Sequence, residues 1–228
     1  MALEELKLPI LAIERLRMLT DGEGVTTLVC SMGCPLRCRL CINPNSWDGS
    51  KPTEFLSVDE LYERVKIDNL YFVSTKGGLT FGGGEPLLHS KFHAAFMEKY
   101  QSTGWAFNLE SSLQAPFENI ERIIPYISTY AIDVKDMDPE RYKEYTGGDY
   151  ELFFDNLMKL KDRVGEEKIV LKVPKIPVLH KGDEQKESEE KLRKLGFTNI
   201  ALFDYVDPKS RKKLTETALE NRGKLITE

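Results

Sequence analysis

The stretch TTLVCSMGCPLRCRLCINPNSWD, residues 26–48, joins a predicted strand to a group of cysteines. Its first six residues are mostly apolar or β-branched and predict a buried strand over 26–31. All four cysteines of the chain lie between positions 30 and 41, and Cys34, Cys38 and Cys41 have the spacing C-x3-C-x2-C. Four cysteines in 228 residues are too few for a secreted disulfide scaffold. Their clustering indicates a metal centre after this strand.

Three thiolates so close in sequence can each bind one iron of a 4Fe-4S cubane, which leaves the fourth iron open. The amino and carboxylate groups of a methionine moiety can chelate that iron, which places a sulfonium beside the cluster for one-electron cleavage of a carbon–sulfur bond. We therefore predict a 4Fe-4S cluster and S-adenosylmethionine (SAM) as cofactors. Cys34, Cys38 and Cys41 are then both the metal ligands and the catalytic residues.

Two other interpretations of the cysteines remain open. A zinc site would need a fourth ligand, and the three histidines lie far away in sequence. Alternatively, Cys30 could be the fourth ligand of a cluster in an electron carrier with no open iron. A cysteine at the end of an apolar strand packs more simply as a small buried hydrophobe.

Short apolar runs alternate with helical patterns along the rest of the chain. Ser57 and Glu60 form a predicted capping box at the start of a helix over 57–65, and further helices are expected over 90–100 and, with many charge pairs, 181–194. Such alternation predicts parallel strands joined by right-handed helical crossovers. The predicted strands are 26–31, 78–81, 105–110, 130–135, 168–176 and 199–205.

Six strand–helix units are fewer than the eight of a complete barrel, which needs about 250 residues. The sequence therefore predicts an α/β fold, a partial (β/α)6 TIM-like barrel of parallel strands that is open on one side. We interpret residues 1–228 as a single domain, with an N-terminal extension at 1–24, the barrel core at 25–206 and a C-terminal helical segment at 207–228.

Polar motifs fall where the predicted strands end, which is where barrels and open α/β sheets place their chemistry. Gly82 to Gly84 could let strand-end carbonyls approach a ligand ammonium, because glycine has no side chain. Glu85 could be a ligand or a structural acid. Asp133 and Lys135 share one face of their strand, so they could line a ligand site or form a mutual salt bridge.

The composition argues against several kinds of partner. The chain has 32 Lys and Arg against 37 Asp and Glu, and its scattered basic residues argue against binding of nucleic acid. No apolar run approaches the length of about 18 to 20 residues that spans a bilayer, and the first residues lack the layout of a signal peptide. We therefore expect a cytoplasmic protein with neither a nucleic acid nor a membrane as partner.

Cys34, Cys38 and Cys41, followed later in the chain by Gly83-Gly84-Glu85, resemble the pattern of the radical SAM superfamily. Within the superfamily, the chain is similar to the glycyl radical enzyme activating enzymes, the group of pyruvate formate-lyase activating enzyme. Asp21-Gly22, Asn43-Pro44 and the segment IDVKDMDPERYKEYTG at 132–147 carry this similarity, which extends over residues 12–206.

The resemblance implies an anaerobic oxidoreductase that cleaves SAM to methionine and a 5'-deoxyadenosyl radical, which abstracts hydrogen from a glycine of a partner glycyl radical enzyme. It also implies a flavodoxin or ferredoxin-type protein as reductant. The cofactor-binding positions carried over by resemblance are Leu40, Ile42, Asn43, Gly83, Gly84, Glu85, Glu110, Ser111, Asp133, Lys135, Lys172 and Val206. A monovalent cation near Glu110 and Asp133 belongs to the same expectation.

Five positions depart from the family pattern. An aromatic residue that commonly lies near the adenine is Leu40 here, and Glu110-Ser111 stands for a usual Asp-Thr pair. Lys172 stands where the family often has an arginine. The lysine lacks the forked guanidinium that binds a carboxylate through two hydrogen bonds. Val206 stands for a histidine.

Two alternative functions stay open at this point. Gly22-Glu23-Gly24 echoes a turn of the 7-carboxy-7-deazaguanine synthases, which would imply a small-molecule or peptide substrate. The other alternative is a non-catalytic iron–sulfur electron carrier, from which turnover of SAM would distinguish both enzymes.

Overall fold

One mixed sheet organises the protein. The computed structural model describes residues 6–18, 21–48 and 51–205, and within them eight strands pair in the order β3-β1-β2-β4-β5-β6-β7-β8. The strands are β1 (Lys7–Met18), β2 (Val25–Ser31), β3 (Glu54–Ser57), β4 (Gly78–Gly83), β5 (Ala106–Ser111), β6 (Thr129–Asp133), β7 (Ile169–Lys175) and β8 (Ile200–Asp204).

The six strands from β2 onwards, excluding β3, are parallel, as predicted. The sheet does not close, since β3 and β8 are its two ends. The expected α/β fold with a partial, open barrel is therefore confirmed. The predicted segment 207–228 and Val206 lie outside the described residues.

The predicted N-terminal extension contains a strand that sequence analysis did not identify. β1 pairs antiparallel with β2 on one side and with β3 on the other. Leu8 and Ile10 of β1 are buried in the main core, so burial of apolar side chains holds this strand on the sheet. The extension is thus part of the sheet over Lys7–Met18.

Helices follow the strands and cover the outer face of the sheet. The predicted capping box is confirmed: the Ser57 hydroxyl accepts from the Glu60 amide at 3.2 Å, and the Glu60 carboxylate accepts from the Ser57 amide at 2.8 Å. The helices are α1 (Val58–Val65), α2 (Asn69–Thr75), α3 (Ser90–Tyr100), α4 (Phe117–Ile123), α5 (Pro139–Thr146), α6 (Tyr150–Val164) and α7 (Glu184–Lys194).

Side chains along each parallel strand point alternately to the two faces of the sheet, and one face is apolar while the other is polar. Phe81, Leu109 and Ile132 belong to the buried core beneath the helices. The intervening positions point to the other face, the concave interior of the open barrel. That interior carries polar and charged side chains, among them Thr80, Asn108, Glu110, Asp133 and Lys172.

Within the described ranges, no helix is both long enough and apolar enough to span a membrane.

Candidate cofactor site

The cysteine loop, residues 32–48, leaves the carboxyl end of β2 and crosses to α5. The Gly33 amide donates to Ser46 O at 2.5 Å, and the Cys34 amide donates to Trp47 O at 3.2 Å. On the other side, the Arg37 amide donates to Thr146 O at 2.7 Å. Backbone bonds therefore fold the loop back on itself and fasten it to the end of α5.

The glycines at the end of β4 let that strand pack against the start of the cysteine loop. Gly83 has a φ of 94°, and a Cβ there would lie 2.6 Å from the Cα of Cys30. A Cβ on Gly84 would overlap the carbonyl oxygen of Gly33. The Glu85 amide donates to that same oxygen at 2.7 Å. These glycines are thus required for close packing of two backbone segments.

The three predicted ligands are free thiols beside an apolar wall. Burial raises the pKa of the Cys34 thiol to about 12 and also raises that of Cys38, so binding of iron must displace their protons. The Asn43 amide donates to the Cys41 sulfur at 3.4 Å. The wall around the thiols consists of Leu36, Leu40, Tyr145, Ile176, Leu179 and Tyr205.

This donor set suits the predicted cluster. A cubane takes one thiolate per iron and does not need its ligands gathered round one ion. In the described part of the chain, no three His, Cys, Asp or Glu side chains are arranged to hold a single metal ion. Cys30 is buried within β2, and burial raises the pKa of its thiol.

Glu85 is fully buried, and its carboxylate is occupied by hydrogen bonds. It accepts from the hydroxyl of Ser111 at 2.7 Å, from the hydroxyl of Ser112 at 2.6 Å and from the Ser112 amide at 2.9 Å. Glu85 also caps the turn after β4, where its carboxylate accepts a hydrogen bond from the Leu87 amide at 3.2 Å. This carboxylate therefore joins the ends of β4 and β5, which favours the interpretation of Glu85 as a structural acid.

Two ion pairs lie in the interior of the open barrel. The Lys172 ammonium donates to the Glu110 carboxylate at 2.7 Å, and the Lys135 ammonium donates to Asp133 at 2.9 Å. All four side chains are partly exposed, between 17% and 29%. The four charged side chains predicted at the site therefore lie together, and each cation contacts an anion. One of these contacts is the mutual Asp133–Lys135 salt bridge.

The titration of these groups reflects their close spacing. Burial raises the pKa of Glu110, and the negative charges of Asp133 and Asp21 add to that effect against the opposing charge of Lys172. For Asp133, burial opposes ionisation, but the charges of Lys135 and Lys172 outweigh it and lower its pKa. Lys135 stays protonated, since Asp133 and Cys38 raise its pKa against the cost of burial. Such a group of charges can hold the zwitterionic part of a ligand.

The other predicted contacts surround the loop. The Asn43 amide side chain donates to Gly83 O at 3.3 Å, so one strand-end carbonyl already has a partner. Ile42 is 59% exposed. Leu40 is half-buried, and its carbonyl accepts a hydrogen bond from the hydroxyl of Tyr205. Sequence analysis missed Tyr205, because no motif marks a residue whose partner lies at the opposite end of the chain.

Residues 28–183 match the family model described as "Radical SAM superfamily". This match covers more than half of the chain. The chain belongs to the radical SAM superfamily. The predicted resemblance is therefore confirmed, and with it the interpretation of the chain as an enzyme that uses an iron–sulfur cluster and SAM.

Curated relatives of this radical SAM enzyme are activating enzymes. It is 29% identical to the (2S)-3-sulfopropanediol dehydratase activating enzyme of Klebsiella oxytoca, over 69% of this chain and 68% of that protein. It is 30% identical to the pyruvate formate-lyase-activating enzyme of Clostridium pasteurianum, over 78% of this chain and 70% of that protein. The expected similarity to glycyl radical enzyme activating enzymes is thereby confirmed.

Solved structures support the same fold. A domain of the pyruvate-formate lyase-activating enzyme from Bacteroides vulgatus matches 57% of this chain and 82% of that chain, with a TM-score of 0.50 and 26% identity. QueE from Escherichia coli matches 96% of this chain and 93% of that chain with a TM-score of 0.57, but at 15% identity this likeness shows the fold alone.

Proposed function

We propose that this radical SAM enzyme is a glycyl radical enzyme activating enzyme, in which Cys34, Cys38 and Cys41 hold one 4Fe-4S cluster. The arrangement of these three thiols in one loop at the mouth of an open half-barrel is the observation that carries the proposal. Three ligands leave one iron for SAM, and the open side admits a protruding loop of a partner protein.

The chemistry of the site then divides between cofactor and protein. When bound and reduced, the cluster supplies the electron that splits SAM into methionine and a 5'-deoxyadenosyl radical. The chain itself orients SAM: Lys135 offers an ammonium for the methionine carboxylate, and Asp133 offers a carboxylate for the ribose hydroxyls. Bound there, SAM and the cluster would supply the chemistry that takes hydrogen from the α-carbon of a glycine in the partner and leaves a radical on that glycine.

The finer cofactor and partner assignments belong to the same proposal. A monovalent cation binds near Glu110 and Asp133, where it adds to the charge of the Lys172 ammonium that already contacts Glu110. A flavodoxin or ferredoxin-type protein supplies the electron. The protein acts in the cytoplasm, and no nucleic acid takes part.

One of the two alternative functions is an enzyme with a small-molecule or peptide substrate, and the turn Gly22-Glu23-Gly24 is the feature that suggests it. This turn directly precedes β2 and therefore lies at the opposite end of the barrel from the cysteine loop. Asp21, Gly22 and Glu23 line a cavity of about 270 Å³ that also reaches Lys172 in the barrel interior. No residue of the cysteine loop lines this cavity, so the turn gives no support to a substrate site beside the cysteines.

The experiment is anaerobic mixing of the enzyme with a candidate glycyl radical enzyme, SAM and a reductant. The expected result is a persistent glycyl EPR doublet, with 5'-deoxyadenosine formed in near-equal amount. Deuterium at the α-carbon of the target glycine should appear in the deoxyadenosine. A partner with that glycine replaced by alanine is the control. Deoxyadenosine without doublet or deuterium transfer, together with alteration of a small molecule or ribosomal peptide, would exclude the activase.

A further inference from the structure

A buried network of polar side chains lies beside the cofactor site, in the loop that follows β6. Its centre is Asp136, which directly follows Lys135 and is fully buried. The Asp136 carboxylate accepts from Nε2 of His180 at 3.0 Å and from the Arg141 guanidinium at 2.9 and 3.1 Å. Burial opposes ionisation of Asp136, but the hydrogen bonds from His180 and Arg141 outweigh it and lower its pKa. The network therefore stabilises a buried negative charge.

The hydrogen bonds of His180 fix which ring nitrogen carries the proton. The Ile176 amide donates to Nδ1 at 3.1 Å, and since a backbone amide can only donate, Nδ1 has no proton. The proton is therefore on Nε2, which donates a hydrogen bond to Asp136. The side chain of His180 is only 1% exposed. It is thus a buried bridge between the backbone at Ile176 and the carboxylate of Asp136.

The turn at residues 176–180 forms part of the apolar wall around the cysteine thiols. Ile176 is fully buried and Leu179 is 8% exposed, and both lie in one buried cluster with Cys38 and Tyr145. The amides of Leu179 and His180 donate to the Ile176 carbonyl at 3.0 and 2.7 Å, which closes the turn. The hydrogen bond from His180 to Asp136 then fastens this turn to the loop after β6.

Arg141 connects the same carboxylate to the helix that holds the cysteine loop. It lies on α5, whose last residues, Tyr145 and Thr146, accept the backbone amides of Arg39 at 3.0 Å and Arg37 at 2.7 Å. Asp136 thus joins α5 to the turn after β7. Both elements contribute side chains to the wall around Cys38.

We propose that Asp136 and His180 are positioning residues, which hold the turn at residues 176–180 against the cysteine loop and so keep water away from the cluster. The inference rests on the proposed cluster at Cys34, Cys38 and Cys41. Both residues act through the turn rather than by contact with iron or SAM. The reduced cluster carries one more negative charge than the oxidised cluster, and water solvates that charge better than an apolar wall does. The reduction potential therefore depends on how well the wall excludes water.

The first test follows the thiols of the cluster-free chain, so it does not depend on iron. N-Ethylmaleimide is added anaerobically, and tandem mass spectrometry gives the rates of alkylation at Cys38 and at Cys30. Cys30 is buried in β2 and reports any general loss of structure. We expect His180→Leu and Asp136→Asn to raise the Cys38 rate about tenfold relative to that of Cys30, because the turn opens locally. His180→Gln, whose amide can still donate to Asp136, should stay closer to the wild type.

The second test measures the reduction potential of the loaded protein by a redox titration followed by EPR. Water that reaches the cluster in His180→Leu should favour the reduced state about tenfold, which raises the potential by about 59 mV for one electron. His93→Leu is the matched control, because it removes another buried histidine, on α3. It should change neither the potential nor the ratio of the two alkylation rates.

An unchanged ratio of alkylation rates in both His180→Leu and Asp136→Asn would overturn the inference. Equal acceleration at Cys30 and Cys38 would do the same, as would an unchanged potential in the loaded His180→Leu chain. A His180→Gln chain as perturbed as His180→Leu would show that the bond to Asp136 does not position the turn. Failure of the wild-type chain to load iron would instead count against the proposed function, and the alkylation rates would still test the inference.

Discussion

The Tyr205 hydroxyl donates a hydrogen bond to the backbone carbonyl of Leu40, across 165 positions of sequence. The Tyr205 amide also donates to Lys175 O at 3.0 Å, which extends the pairing of β7 and β8. The last parallel strand is therefore connected to the cysteine loop over the open side of the barrel. This bond positions Leu40, and through it the adjacent Cys41.

Loss of this hydrogen bond should loosen the loop. Tyr205→Phe should lower the free energy of unfolding of the cluster-free protein by about 1 kcal/mol. Tyr205→Ala should lower it further, because the ring also packs against the buried cluster formed by Leu36, Cys38, Tyr145, Ile176 and Leu179. Urea titration measures both effects. Tyr126→Phe is the matched control. If it lowers the free energy of unfolding as much as Tyr205→Phe does, the hydrogen bond from Tyr205 to Leu40 does not stabilise the loop specifically.

The ligand assignment predicts about four irons per chain after anaerobic reconstitution. Cys34→Ala, Cys38→Ala and Cys41→Ala should each abolish loading, whereas Cys30→Ser should retain it. Iron and sulfide analysis, with EPR of the reduced protein, measures the outcome. Retention of the cluster in Cys41→Ala together with its loss in Cys30→Ser would show that the ligand set is wrong.

Removal of the Lys172 ammonium should make cofactor binding depend more on added cations. Lys172→Met leaves Glu110 and Asp133 with one positive charge fewer, so a monovalent cation is needed to offset their repulsion. We expect SAM affinity to fall about tenfold in tetramethylammonium chloride, a loss of about 1.4 kcal/mol, and to recover in potassium chloride. The perturbation of the reduced cluster's EPR signal by SAM reports binding. Lys175→Met, an exposed position on the same strand, should show no such dependence.

The backbone at Gly83 should tolerate no side chain. Gly83→Ala places a Cβ against Cys30 and forces an alanine into a positive φ, so we expect a loss of about 3 kcal/mol in stability. Gly104 also has a positive φ, of 74°, but a Cβ there would meet no atom within 4 Å. Gly104→Ala should therefore cost only about 1 kcal/mol for the backbone strain. Equal losses in thermal or urea unfolding would contradict the packing role of Gly83.

The buried histidine of α3 predicts a pH dependence of stability. Burial lowers the pKa of His93 to about 3, with a further contribution from His89, so the folded protein does not protonate it where the unfolded chain does. Between pH 6.5 and about 3 the unfolded state binds more protons, and this group therefore reduces stability as the pH falls through that window. The slope is about 1.4 kcal/mol per pH unit.

Urea unfolding of the cluster-free protein between pH 5 and 6.5 measures this effect. His93→Leu has no group to protonate and should lose most of the slope. A variant with the wild-type slope would show that His93 is charged in the folded state or that other groups dominate.

The sequence alone determined the strand–helix alternation and the ligand spacing, because both depend on neighbours in the chain. Periods of apolar residues indicated the six parallel strands, and Ser57 with Glu60 indicated the start of α1. The position of Cys34, Cys38 and Cys41 after β2 followed in the same way. β1 was missed, because its apolar side chains are buried by pairing with both β2 and β3.

Only the tertiary structure decided which polar groups face one another. Glu85 and Ser111 are separated by 26 positions, yet the hydroxyl of Ser111 donates to Glu85 rather than to the barrel interior. Glu110 meets Lys172 across 62 positions, because β5, β6 and β7 are adjacent in the sheet and their inward positions align. A hydrogen bond or ion pair between distant positions depends on strand order and register, and no local pattern in the chain specifies these.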